Sequence, residues 1–395
     1  MINQLLPILK EYSFQTPRKI VFGPNVANRL VSELKLISGE DILLLTDKNV
    51  KNIGPVVSLL SNLKNEGFVV TVYDESKPEP KLEDLDEIVE LVRGQSFKAV
   101  VGIGGGSILD AAKIASMAAT NPGSIKQYIG ANLVKKRGLP LILIPTTAGS
   151  GSEATQAAVL TLDDVKVSVW DSNLFADVSL VDPLLTLSKP KKLTANTAID
   201  ALSHAIEALM SLDSNPLTDA IALEAVKLIG KYLRLAYANG QNLEARYNLS
   251  LAALMGGIVI SNAGLCAGHG IAYTYATEYD LPHGASCALS LPYIMAFNLP
   301  ACVDKLIAVA KAMGEPIRGL SPDDAAYRAV VAVKKLIEDV GLPTSLRDIG
   351  VSEGEVSKYA EDLLTKYKRF LPRNPREISK EDAISIFKKM WEGKA

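Results

Sequence analysis

Histidine, cysteine and tryptophan are scarce in this chain of 395 residues, which holds three, three and two of them. The cysteines, Cys266, Cys287 and Cys302, form no CxxC pair and leave one odd. That speaks against a disulfide framework and fits reduced thiols in a cytoplasmic protein, buried as small hydrophobes rather than kept for reactivity. No apolar run approaches the ~20 residues of a bilayer span. The opening "MINQLLPILKEYSF" lacks the basic region and small-residue cleavage site of a secretory signal. A basic excess is missing too: 42 Lys and Arg face 44 Asp and Glu, a formal net charge of −2. Nucleic acid and anionic membranes, which call for a basic patch, are therefore not expected as partners. Internal repeats and low-complexity segments are also absent.

What is present describes an ordinary soluble composition, 48% hydrophobic and 22% charged. At this length two domains are the default, because a single core stops growing well before 395 residues. The first half alternates strand-like and helix-like runs. Strands are expected at 41–47, 68–74, 97–104 and 139–147, with helices at 50–67, 80–94 and 107–119 between them. Near-continuous apolar strands separated by helices indicate a parallel sheet covered on both faces, hence a doubly wound α/β domain. After "LVDPLLTLSKPKK" the strand pattern fades and helical spacing dominates, notably at 193–211, 214–236, 242–262, 303–313 and 323–340. A boundary near residue 187 divides an α/β domain (1–187) from an all-helical one (188–395).

"VVGIGGGSILDAAK" (100–113) sits where a strand ends and a helix begins. Its glycines let the backbone turn tightly and approach a bulky anion, towards which the helix N-terminus points its free N–H groups. Ser107 reads as the N-cap, with Asp110 completing a capping-box-like pair. The pattern is neither GxGxxG nor a P-loop, and a tight βα turn without ligand is the plain alternative. A second polar loop, "IPTTAGSGSEAT" (144–155), follows another apolar strand and offers Thr146, Thr147, Ser150 and Ser152. Two such loops at the C-terminal ends of strands of one sheet lie where these folds bind ligands.

In "AIDALSHAIEAL" (198–209) the non-apolar residues are Asp200, Ser203, His204 and Glu207, spaced i, i+3, i+4, i+7, one narrow stripe of a helix. Such a stripe is either a thin solvent edge or the lining of an internal polar site. The other two histidines lie in small, apolar segments: His269 in "GLCAGHGIAYTY", and His283 in "YDLPHGASCALSLP", where Pro282 opens a helix and puts His283 in its first turn. Each alone reads as a core histidine. Together with Asp200 and His204 they make three imidazoles and a carboxylate, a set suited to Fe²⁺ or Zn²⁺.

The motifs "GGGSILDAAK", "PTTAGSGSEAT", "AIDALSHAIEA" and "GHGIAYTYATEYDLPHGAS", in this order and at these separations, resemble the iron-containing (group III) alcohol dehydrogenases. "FQTPRKIVFG" and "VDPLL" extend the resemblance over essentially the whole chain. It implies a dehydroquinate-synthase-like architecture: an N-terminal α/β domain binding NAD or NADP, an all-α C-terminal domain holding the metal, and a cleft between them. The implied ligands are Asp200, His204, His269 and His283. The implied cofactor contacts are Gly104, Gly105, Gly106 and Ser107 at the pyrophosphate, with Asp110 beside them, then Thr146, Thr147 and Ser150. Lys166 falls near the nicotinamide ribose. Asp47 falls at the adenosine ribose, where a carboxylate accepts hydroxyl hydrogen bonds and repels a 2′-phosphate, favouring NAD over NADP. A homodimer is implied as well. Two positions depart from the family pattern: Tyr273 stands where many members have a further histidine, and Glu79 where many have asparagine.

The expected reaction is hydride transfer between a nicotinamide cofactor and a small primary alcohol or aldehyde, the metal polarising the substrate oxygen. Glycerol dehydrogenase-like polyol oxidation is an alternative, although that branch commonly lacks the histidine that His204 supplies. A lyase of the dehydroquinate synthase type is another, but it needs clustered Lys and Arg, and none lies between 247 and 304. A binding protein on the same scaffold would have no reason to keep all four ligands.

Overall fold

The computed structural model describes residues 11–76 and 80–395; Glu79 and the first ten residues of the opening segment lie outside them. Six parallel strands form the main sheet: β1 (Lys19–Phe22), β2 (Asp41–Leu45), β3 (Val69–Tyr73), β4 (Ala99–Gly104), β6 (Leu141–Pro145) and β9 (Val178–Val181). Their order is β1-β9-β6-β4-β2-β3. Successive side chains of a strand face opposite sides. Leu43 and Leu45 accordingly pack with α4 (Leu82–Gly94) and α5 (Gly106–Ala118), whereas Ile42 and Leu44 pack with α1 (Leu30–Ile37) and α3 (Gly54–Asn65). Both faces being covered explains why these strands read as unbroken apolar runs.

From β2 the chain moves outward to β3, then returns to place β4 and β6 on the other side of β2. The direction of winding therefore reverses between β2 and β4, the crevice where doubly wound sheets take ligands. The helix expected over 50–67 is two pieces, α2 (Lys48–Lys51) and α3. Pro55 at the start of α3 has no N–H and its ring would clash with the carbonyl four residues back, so the chain breaks at the extended Ile53.

A feature not anticipated is a hairpin, β7 (Ala157–Leu162) with β8 (Val165–Trp170), which with β5 (Gly130–Ala131) forms a second, three-stranded sheet. Its two-residue turn is Asp163–Asp164, both with positive φ (48° and 59°), the geometry that matches strand twist in hairpins.

Beyond Val181 the described residues contain no strand. The chain continues as α6 (Lys191–Met210), α7 (Pro216–Ala238), α8 (Leu243–Ala263), α9 (Ala267–Ala276), α10 (His283–Asn298), α11 (Val303–Ala312), α12 (Pro322–Asp339), α13 (Val356–Thr365) and α14 (Lys380–Glu392). One large apolar cluster joins them. Helix α6 runs through its middle, packed by α7, α8 and α10, and is buried at every position from Ala198 to Met210. Among the described residues no single helix is long and apolar enough to cross a membrane.

The sheet meets the helices along a seam where Ala154, Val181 and Leu254 cluster. There the backbone of Gly151 (φ +59°) lies directly against Gly257 of α8, so close that a Cβ on Gly257 would sit 2.1 Å from the Gly151 carbonyl oxygen. Only glycine allows this approach.

Candidate metal centre and cofactor cleft

Three histidines from three helices converge on one carboxylate. Asp200 Oδ1 lies 3.3 Å from His204 Nε2, 3.8 Å from His269 Nε2 and 3.4 Å from His283 Nε2. Helix geometry sets the first pair, one turn apart on α6. His269 comes from the first turn of α9, and His283 is the first residue of α10, with Pro282 as its N-cap. Asp200, His204 and His269 are buried, while His283 keeps about 30% of its side chain exposed. The stripe on α6 is therefore no solvent edge.

Donors held around one ion at ~2.0–2.2 Å lie roughly 3.3–3.6 Å apart, so this spacing fits a metal. The charge states of two of the three rings fit too. Burial, then the neighbouring His269, holds His204 well below the ordinary histidine value. Burial, partly opposed by Asp200, brings His283 down to about 4. Both rings are neutral near pH 7 and offer lone pairs.

Glu207 completes the stripe as a positioning group. Its Oε1 is 2.5 Å from His269 Nδ1, and its Oε2 accepts from the His269 backbone N–H at 3.2 Å. The carboxylate thus sits at the N-terminus of α9, where free N–H groups and the helix dipole favour negative charge. Accepting from Nδ1 fixes the tautomer that leaves Nε2 facing Asp200. Burial disfavours charge on His269, but Cys287 and Glu207 outweigh it and raise its proton affinity. Gly268 makes room for this contact, since a Cβ there would lie 2.6 Å from Glu207 Oε1. Ser203 does something else: its hydroxyl donates to the Ile199 carbonyl of its own helix at 2.9 Å.

Two further residues meet the cluster. Cys287, one turn after His283 on α10, puts its Sγ 3.7 Å from His269 Nε2, 3.6 Å from His283 Nε2 and 4.0 Å from Asp200 Oδ1. Its burial fits the sequence reading, but it is no mere core filler. Burial pushes its thiol up to about 11. Cys266 and Cys302 are buried free thiols as expected. Tyr273 stacks on His283 with ring centroids 5.2 Å apart and continues to Tyr367 and Phe370, an aromatic wall on one side of the centre.

The expected cofactor residues gather at the C-terminal ends of β2, β4 and β6. Thr146 N–H donates to the Gly104 carbonyl, which joins the roots of the two loops. Gly106 faces Ser150, and a Cβ there would lie 2.7 Å from the Ser150 hydroxyl; Gly105 faces Thr147. Helix α5 begins at Gly106 with Gly105 as N-cap and no side-chain cap. Its first turn therefore brings the positive end of a helix, led by two glycines, to the cleft. Thr146 Oγ1 is buried without a partner among the described residues, which is costly unless something in the cleft engages it.

The capping box expected of Ser107 and Asp110 does not form, because Ser107 is already inside the helix. Asp110 instead accepts from the Ser152 hydroxyl (2.6 Å) and the Val159 N–H (3.0 Å), tying α5 to β7 and the second polar loop. The fully buried Lys113 joins this network through Ser152, Thr155 and the Ala157 carbonyl. Asp47 caps α2 by accepting from Asn49 and Val50 N–H through a single oxygen, Oδ1. Lys166, on β8, donates to Thr161 Oγ1 at 2.9 Å, and its charge reaches His283 across the cleft.

Comparison with known proteins agrees with this geometry. The profile described as iron-containing alcohol dehydrogenase matches residues 17–183, and that of the Fe-containing alcohol dehydrogenase family, C-terminal, matches 194–391. The chain belongs to the iron-containing alcohol dehydrogenase family. Within this family it is 37% identical to long-chain-alcohol dehydrogenase 1 of Geobacillus thermodenitrificans, over 95% of the chain and 97% of that protein. To the NAD-dependent methanol dehydrogenase of Bacillus methanolicus it is 36% identical, over 95% and 99%. A crystal structure of 1,3-propanediol oxidoreductase superposes with a TM-score of 0.93 at 36% identity, covering 97% of this chain and all of that one. The family's helical part and sheet part thus both recur here, and alcohols or aldehydes are the substrate class that the membership brings.

Proposed function

We propose that this dehydrogenase oxidises small primary alcohols and reduces the matching aldehydes with NAD, using a metal held by Asp200, His204, His269 and His283. The convergence of three imidazole Nε2 atoms on the Asp200 carboxylate carries the reading. Iron(II) is the family's metal, and the same nitrogen and oxygen donors suit zinc(II). When bound, the ion supplies Lewis-acid polarisation of the substrate oxygen.

The chain's own residues do the rest. Neutral His204 and His283 keep their nitrogens available at neutral pH, Glu207 holds His269 in register, and the aromatic wall led by Tyr273 limits water. The start of α5, with Gly104, Gly105, Gly106 and Ser107, takes the pyrophosphate on its N–H groups. Thr146, Thr147 and Ser150 line the path from there towards the metal, and Lys166 approaches the nicotinamide ribose from the hairpin. Asp47 accepts from the adenosine ribose with the oxygen not used for capping, and its charge disfavours a 2′-phosphate. Residues 1–187 would form the nucleotide domain and 188–395 the metal domain. A cytoplasmic homodimer that engages neither membrane nor nucleic acid completes the reading, its size measurable by light scattering.

Polyol oxidation of the glycerol dehydrogenase type and lyase chemistry are disfavoured. His204 is in place beside Asp200, and among the described residues the charges felt at His283 come from Asp200, His269, His204 and Lys166, a single lysine with no arginine beside it. The test is to strip the full chain with a chelator, restore iron(II) or zinc(II), and follow nicotinamide absorbance over a panel of short primary alcohols and aldehydes. Turnover should return with metal and favour NAD. No turnover with any substrate would overturn the reading, and higher catalytic efficiency with NADP would overturn the part given to Asp47.

A further inference from the structure

The metal set inherited from the sequence pattern has four members, yet the cluster contains a fifth donor. Asp200, His269, His283 and Cys287 offer four ligand atoms that all lie within 4.8 Å of one another. Two of the sulfur's distances, 3.6 Å to His283 Nε2 and 3.7 Å to His269 Nε2, fall within the 3.3–3.8 Å that separates Asp200 Oδ1 from the imidazole nitrogens, and the third, 4.0 Å to Asp200 Oδ1, lies just beyond it. A sulfur bound at ~2.3 Å and nitrogens at ~2.0 Å around one ion lie roughly 3.5 Å apart, so the thiol sits where a ligand sits. Cys287 is 1% exposed, and its sulfur lies within hydrogen-bonding reach of Asp200, His269 and His283.

We propose that Cys287 donates its sulfur to the metal as a fifth ligand beside Asp200, His204, His269 and His283, making this centre softer than one built from imidazole and carboxylate alone. As the sulfur–metal bond forms, the thiol proton leaves to solvent and neither sulfur nor metal changes oxidation state. Thiolate donors favour zinc over iron(II) at a mononuclear site of this kind. The chain should therefore hold zinc against iron(II) more strongly than its Cys287→Ser variant. The inference rests on the metal-centre reading above, so its test has to separate the two.

The full chain, stripped of metal, is titrated with cobalt(II) and its absorption recorded, in parallel with Cys287→Ser and His283→Ala. One bound cobalt per chain with a sulfur-to-cobalt charge-transfer band in the near ultraviolet, lost in Cys287→Ser while cobalt stays bound, is the expected result. Cobalt bound equally by the parent and Cys287→Ser, with no such band in either, would overturn the sulfur ligand and leave the centre standing. Failure of the parent to bind cobalt, or full binding by His283→Ala, would overturn the centre and the inference with it. X-ray absorption of the zinc-loaded parent needs no variant: a sulfur scatterer at ~2.3 Å is expected, and a shell of nitrogen and oxygen alone would refute the ligand.

Discussion

Glu153 lies in the second polar loop at 2% exposure, and loss of solvent pushes its carboxyl up to about 7 despite its own backbone N–H and Lys113. The unfolded chain releases that proton near 4.5, the folded chain only near 7. Between those values the folded state binds more protons, so stability falls as pH rises through the window and stays reduced above it, by about 3 kcal/mol. Glu153→Gln should remove this slope and stabilise the protein at about pH 8 more than at about pH 5. Denaturant titrations at both values check it, and an unchanged pH dependence would count against the burial argument. Glu207 gives a second expectation at this scale. Glu207→Gln should weaken metal binding on the order of 10–100-fold, because His269 loses the acceptor that fixes its tautomer. Competition with a chromophoric chelator measures this. Glu207 was readable beforehand, since i, i+3, i+4, i+7 spacing puts it on the face of Asp200 and His204. Cys287 was equally readable by the same spacing, one turn after His283, but a thiol in an Ala-rich run looks like any small core residue. Nothing local says that α10 aims it at Asp200.

At the scale of elements, the parallel strands and the long helices were legible because burial on both faces, or on a wide stripe, leaves unbroken apolar periodicity. The hairpin β7–β8 escaped. Its turn is Asp-Asp rather than the Asn-Gly or Asp-Gly that usually announces positive φ, and the strain is tolerated because the two strands and β5 pin it. β1 and β9 are four residues each and too short for their own period to stand out. Asp110 was misread for a related reason. A Ser-x-x-Asp spacing at a helix start resembles a capping box, but the helix begins one residue earlier at a glycine, which frees the acid for the α5–β7 link. The glycine-led first turn of α5 carries its own expectation. Gly106→Ala would place a Cβ 2.7 Å from the Ser150 hydroxyl and push the two loops apart. At about 1–3 kcal/mol for such overpacking, NAD affinity should fall roughly tenfold or more with metal content unchanged. Quenching of intrinsic fluorescence by NADH reports the affinity, and unaltered binding would show that the loops do not form the pyrophosphate site.

For the molecule as a whole, the placing of two sites on either side of one seam is the consequence of packing that no single segment encodes. Asp200, His269 and His283 are separated by 69 and 14 positions in the chain, and only the folding of α6, α9 and α10 around one another brings their polar atoms together. The close backbone contact of Gly151 with Gly257 joins the second polar loop to α8 at that seam. Hydride transfer needs the alcohol carbon and the nicotinamide ring to meet across this seam. The central claim is that the four-residue centre binds the metal on which turnover depends. It is tested most directly by measuring metal content and NAD-linked alcohol oxidation on the same preparations of the parent and His283→Ala. His283 opens α10 and is partly exposed, so its truncation spares the core. The account predicts about one metal per chain with activity in the parent, and loss of both together in the variant. Retention of metal and turnover by His283→Ala would contradict it.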